Sequence, residues 1–429
     1  MVETEGRDTA ATRQAASKAA SDEVRGARTA RLSLYLGGQA SWYLSLGIQF
    51  VLFPYLVAQE LHESAARVGI AQMTLMAPSL LFILLGGTVA DHGDVRRILM
   101  RVHALAAVPP AVLTIILMTG HLSYNVLIGY ALAMGTLSAF AMPARDSALT
   151  RIAETGIQQA VTLAMSTQMV SQLVGMLIVA FAAVIGAPVL LLFQMVVLLA
   201  GAFATQKLTP LPPAHTGHDT SRWAQILDGI AAALENKIVF ALICLNFAVG
   251  LFYVGSFMVV LPLMVRDTFN STDAQFPVRF AMINIAFWGG TIAATFALLK
   301  MGHIKWRGRV MIGAVIAGLV ILAAMSLAMP FWVLCLLCFL WGIGAGTTMT
   351  MGRTIVQLAA RASHRARVLA LYQLGFSGGA PIGSLIMGFI IGSLGIHQAV
   401  LLPAGAMILV VVALVFSPIW AYRAEETCA

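Results

Sequence analysis

Gly87-Thr88-Val89-Ala90-Asp91-His92-Gly93-Asp94-Val95-Arg96-Arg97 is a short charged break between two long apolar runs, 66–90 and 98–119. Charges this dense need water, whereas each run is long enough to cross lipid as a helix. A hydrocarbon core about 30 Å thick takes roughly 20 helical residues per crossing. The break is therefore a turn at a membrane surface, and the rest of the chain divides in the same way.

Working outward, helices are expected near 32–58, 66–90, 98–119, 122–143, 158–185 and 187–206. Six more are expected near 238–265, 278–300, 309–329, 331–351, 368–394 and 397–420. The composition agrees: 59% of the residues are hydrophobic, 10% are charged and the mean hydropathy is +0.88. A soluble chain of this length could not cover its surface with so few polar side chains. The fold class is an all-α membrane protein of twelve transmembrane helices in two six-helix bundles. Residues 1–31 and 421–429 read as cytoplasmic tails, 32–206 and 238–420 as the two bundles, and 207–237 as the linker. Within the linker Trp223, Ile226, Leu227 and Ile230 recur at helical spacing, so a short interfacial helix is expected. The N-terminal tail lacks the apolar centre of a cleavable signal.

The net charge of +8 comes from basic residues in short loops, which points to topology rather than nucleic acid. With the N-terminus inside and the spans alternating, only Arg67, Arg266 and Arg279 of the 26 Lys and Arg fall outside. Losing one span would scramble that split. An offset of 208 residues, the difference between positions 145 and 353, also carries the polar segment after helix 4 onto the one after helix 10. Arg145 thereby pairs with Arg353. Two parallel six-helix halves with a substrate site between them are a recurrent transporter plan.

The break after helix 2 resembles the signature loop of the major facilitator superfamily, Gly-x-x-x-Asp-Arg-x-x-x-Arg-Arg, with His92 in place of the arginine. The resemblance implies the major facilitator fold, Gly87 as the point where helix 2 approaches helix 11, Asp91 as a gating acid, and Arg96 and Arg97 as the basic end. A carboxylate there would also be held by the unpaired N–H groups of a helix N-terminus. Pro143-Ala144-Arg145-Asp146-Ser147-Ala148-Leu149 and Arg365-Ala366-Arg367-Val368-Leu369-Ala370-Leu371-Tyr372-Gln373 extend the likeness to the branch that includes the enterobactin exporter and similar bacterial effluxers. By that likeness Arg145, Arg353 and Arg367 join the gating set, and the chain is expected in a bacterial inner membrane.

No acidic residue falls at a helix centre, so no midplane carboxylate stands ready for a coupling proton. His103 is the only histidine well inside a span, where packing alone could account for it. The polar content of the helices is otherwise uncharged. Gln39, Trp42, Tyr43 and Gln49 mark helix 1, Gln168 and Gln172 helix 5, and Asn246 and Tyr253 helix 7. Asn284 and Trp288 mark helix 8, and Tyr372 with Gln373 opens helix 11. Together they could line a cavity for an amphipathic ligand. Alternatively they bond one another between helices, at about 0.6 kcal/mol each.

Cys244, Cys335, Cys338 and Cys428 form neither a disulfide framework nor a zinc set. No phosphate loop, nucleophile elbow or metalloprotease motif occurs, so no cofactor, metal or catalytic residue is expected. The reading is a secondary active transporter working by alternating access as a monomer, exporting a neutral or amphipathic small molecule, with a coupling proton as candidate partner. A gradient-independent facilitator or lipid-like-substrate translocator is the alternative of the same class. A receptor or scaffold without turnover is the alternative of another.

Overall fold

The computed structural model describes residues 29–153, 157–211, 230–231, 233–302, 304–361 and 364–422. The side chains of Ile83, Leu84, Asp91, Ala183 and Ala366 lie outside the described set, as do most of both tails. Trp223, Ile226 and Leu227, expected on an interfacial helix, also lie outside it.

Among the described residues twelve helices are long and apolar enough to cross a membrane, and no strand occurs. They are α1 (Thr29–Glu60), α2 (Ala65–His92), α3 (Val95–Met118), α4 (Tyr124–Ile152), α5 (Ile157–Val179) and α6 (Ala187–Gln206). The second set is α7 (Lys237–Thr268), α8 (Gln275–Met301), α9 (Arg307–Ala324), α10 (Phe331–Ala359), α11 (Arg365–Leu394) and α12 (Ile396–Val415). Helices form because only internal hydrogen bonding satisfies a backbone in lipid. Polar residues mark where they begin. Ser64 caps α2 through Arg67 N, Asp94 caps α3 through Arg96 N, and Asn236 caps α7 through Ile238 N and Val239 N.

Three boundaries differ from the sequence expectation. α4 continues through Pro143-Ala144-Arg145-Asp146 to Ile152, and α10 continues past Arg353 to Ala359. Charged residues taken to mark loops instead extend the helices, because a helix satisfies its own backbone in or out of lipid. Conversely, the span expected over 158–185 divides into α5 and a short turn, Ala182–Ile185, ended by Gly186 at φ +85°.

The halves α1–α6 and α7–α12 are related by the offset that pairs Arg145 with Arg353, and glycines show it best. A Cβ on Gly47 would lie 2.1 Å from Gln172 O, and one on Gly175 2.3 Å from Leu44 O, so α1 and α5 touch through backbone. The same offset leads to Gly255 and Gly383, where a Cβ would lie 2.4 Å from Gly383 C and 1.9 Å from Leu251 O, respectively. There α7 and α11 touch in the same way. The ends of α1 and α7 match too: each closes in a widened π turn, Tyr55–Glu60 and Met264–Thr268. Such turns concentrate at functional sites.

The turns α1–α2 and α7–α8 lie at one end of the molecule, called here the loop face. The opposite end, with the α2–α3 turn and the start of α11, is the terminus face.

Candidate functional site

The two halves are sewn together at the loop face. Gln59 at the end of α1 donates from Nε2 to Ser271 O at 3.1 Å and to Asp273 Oδ1 at 2.9 Å. Arg266 at the end of α7 returns the favour, donating from Nη1 to Ala58 O at 2.8 Å and to Glu63 O at 2.7 Å. Each half thus holds the loop of the other, and both donors stand in π turns. The rings of Tyr55 and Phe276 pack beneath at 5.8 Å between centroids. Alongside, α2 meets α11 without side chains: a Cβ on Gly69 would lie 2.6 Å from Ser384 O and 2.9 Å from Gly388 Cα.

Arg266 is mostly buried, its side chain 15% exposed, and it also pairs with Asp267. Sequence reasoning did not single out Gln59 or Arg266. A signal existed for Arg266, one of only three basic residues placed on the outer side, at odds with the charge rule.

At the terminus face the expected gating residues divide. Arg145 is buried within α4, its guanidinium over the rings of Trp42 at 5.1 Å and Tyr43 at 4.7 Å. Its Nη1 is buried without a hydrogen-bond partner among the described residues. Next to it Asp146 is exposed and lies within electrostatic reach of Arg145 and of Arg353 on α10, across the seam between the halves. Arg353 and Arg367 are both exposed. Arg96 donates from Nε to Gln206 O at 3.0 Å, capping the end of α6, and Arg97 pairs with Asp94 at 3.5 Å. Asp94 also accepts from Leu211 N at 3.1 Å, so the α2–α3 turn is tied to the segment following α6. Gly87 is half-buried on α2, and the Asp91 carboxylate lies outside the described residues.

The expected cavity residues also divide. Gln39 is buried and donates to Ala164 O at 2.8 Å, joining α1 to α5. Gln49 accepts from Tyr130 Oη at 3.3 Å, and the same tyrosine meets Gln194, whose Nε2 donates to Ser45 Oγ at 3.0 Å. In the second half Asn246 donates to Tyr372 O at 2.6 Å, and Tyr253 donates to Val315 O at 2.7 Å. These residues fasten helices within one half. Trp42, Asn284 and Trp288 each keep one buried polar atom, Nε1, Oδ1 and Nε1, without a partner among the described residues. Gln168 and Gln172 are half-buried on α5, Tyr372 is buried and Gln373 is exposed.

Two matched bundles thus meet at one end through reciprocal bonds. Residues 39–429 match the family described as transmembrane secretion effector. The chain belongs to that family. Among solved structures it resembles a variant of the nucleoside transporter NupG at 15% identity and TM-score 0.72, covering 90% of this chain and 98% of that one. NupG itself matches at 16% identity and TM-score 0.70, over 92% and 99% of the two chains. A structure titled for substrate recognition in proton dependent oligopeptide transporters matches at 13% identity and TM-score 0.63, again over 92% and 99%. At these identities the likeness is one of fold. No curated protein sequence matches. The chain is a multi-pass membrane transporter of the major facilitator fold.

Proposed function

We infer that the chain is a secondary active exporter of a neutral or amphipathic small molecule, working by alternating access from a bacterial inner membrane. The observation that supports this most is the reciprocal Gln59 and Arg266 latch across the halves at one face. Such bonds must break if that face is to open, as an alternating mechanism requires. With both termini cytoplasmic, as the distribution of basic residues favours, the latched face is periplasmic, as an inward-facing state requires. Asp146 and Arg353 are then a natural pair to close the cytoplasmic mouth in the opposite state, joining the Asp91 loop. Direction of transport follows the resemblance to the enterobactin exporter and related effluxers. The family name, with its reference to secretion, agrees.

The test uses purified protein in liposomes under an imposed proton gradient, with the fluorescent amphipaths Hoechst 33342 and rhodamine 6G as probes. Gradient-dependent movement of either, abolished by an uncoupler, is expected. Binding without movement of either probe would overturn the reading in favour of a receptor. A rate unchanged by the uncoupler would support the facilitator, which the missing midplane carboxylate favours.

A further inference from the structure

The environment of one imidazole goes beyond packing. His103 on α3 is 1% exposed, with Nδ1 2.8 Å from Leu99 O and Nε2 3.1 Å from Gly38 O. Both partners are backbone carbonyl oxygens, which only accept. A neutral imidazole has one N–H, so its second nitrogen would turn a lone pair toward an oxygen. Only the imidazolium satisfies both contacts. A buried histidine that merely packs bonds one carbonyl, commonly four residues back in its own helix, and needs no second acceptor. Here the second acceptor comes from another helix.

The surroundings are shaped to admit the ring. A Cβ on Gly201 of α6 would lie 2.6 Å from His103 Cδ2 and 2.0 Å from Ser41 Oγ, while a Cβ on Gly38 would lie 2.8 Å from Thr205 Cγ2. α6 thus approaches the imidazole of α3 through a missing side chain, and α1 packs on α6 through another. Trp42 closes the niche edge-on at 5.3 Å.

We propose that His103 is a proton-binding site, occupied in this latched conformation and vacated when α1 shifts against α3. This rests on the transporter reading above. Binding adds one proton from water to the free ring nitrogen and breaks no covalent bond. Release returns the proton to water and leaves one N–H and one lone pair. The charges around the ring make occupancy conditional. Burial itself disfavours the imidazolium most, and from α4 comes Arg145, a cation that repels it, with Asp146 beside it. From α1 come Tyr35 and Tyr43, with Arg31 near its start, and α3 itself carries Arg96, Arg97 and Arg101. α6 has no ionisable side chain between Ala187 and Gln206. The proton is therefore held chiefly by the carbonyls of Leu99 and Gly38. Moving Gly38 away removes half of that hold. Because α1 carries Gly38 near one end and the Gln59 latch at the other, occupancy and latching are linked, and linkage acts equally in both directions.

The sign follows: low pH favours the latched state, and raising pH through the titration of His103 favours opening. The first measurement is 15N NMR of full-length protein in nanodiscs, labelled at its nine histidines. His103 is identified by its through-space contact to the Trp42 indole, so no variant is required. A ring with both nitrogens protonated at pH 6 and one at pH 9 is expected. A ring that stays neutral or stays charged over that range overturns the proposal. The second introduces Val68→Cys, buried at the loop face, into a chain whose four native cysteines are alanine. Its maleimide labelling, compared with and without His103→Gln at each pH, should rise at least fivefold more between pH 6 and 9 with His103 present. Equal pH ratios in the two backgrounds overturn the proposal. Neither measurement needs a transported substrate, so transport with an untitrated His103 would sink this inference alone, and a titrating His103 without transport would sink only the exporter reading.

Discussion

Arg266→Ala unlatches the loop face. The side chain makes two charge-assisted bonds to carbonyls of the opposite half, Ala58 O and Glu63 O, and at 15% exposure is little screened by water. Bonds to charged groups contribute about 1.5–3 kcal/mol each. Because water can replace part of that in the open state, the combined effect is about 1.5–3 kcal/mol, a shift of roughly 10- to 100-fold toward opening. Labelling of Val68→Cys by an impermeant maleimide should accelerate accordingly. Arg67→Ala supplies the contrast, since Arg67 pairs with Glu63 on the surface and is 56% exposed. Exposed pairs contribute about 0–1 kcal/mol, and here the pair lies within one half, so labelling should stay near the parent rate. Equal acceleration by the two substitutions would remove Arg266 from the gate.

Gly383→Ala is expected to destabilise the fold strongly. Its Cβ would lie 1.9 Å from Leu251 O and 2.7 Å from Leu251 C, both backbone atoms that cannot swing aside. Helices α7 and α11 must separate to admit it. Overpacking typically costs about 1–3 kcal/mol, and displacement of main chain places this substitution at the upper end or above. Gly392, on the same helix, has nothing within 4 Å of its would-be Cβ. Alanine there should be neutral or stabilising, because glycine is disfavoured in helices by about 0.8–1 kcal/mol. Thermal unfolding in detergent reads both. Indistinguishable midpoints for Gly383→Ala and Gly392→Ala would mean that the two helices are not in backbone contact.

The architecture was legible because lipid imposes a single rule on every segment. Apolar length gave the spans, and the placement of Arg67, Arg266 and Arg279 separated the two ends. What could not be read was where charge is tolerated. Arg145 lies within α4, stacked on Trp42 and Tyr43, and hydropathy cannot foresee that two rings on another helix will shelter a guanidinium. The latch escaped for a related reason. Gln59 and Arg266 find backbone carbonyls as well as a side chain, and such acceptors carry no residue identity to search for. Asn246 and Tyr253 show the same ambiguity from the other side: polar residues that look available for a ligand donate to Tyr372 O and Val315 O. The glycine of α2 that meets α11 at the loop face, Gly69, stands in no motif and was not legible in advance.

The paired glycines of α1 with α5 and of α7 with α11 bear on how movement is distributed. Rods in main-chain contact have no slack, so α1 must travel with α5 and α7 with α11, each pair turning as one lever. The abutment of Gly69 with Gly388 lies beside the reciprocal donors and offers a smooth fulcrum, free of side chains that would have to disengage. Spectroscopic rulers spanning two helices of one lever should therefore read constant through a cycle, while rulers crossing the fulcrum lengthen at one end and shorten at the other.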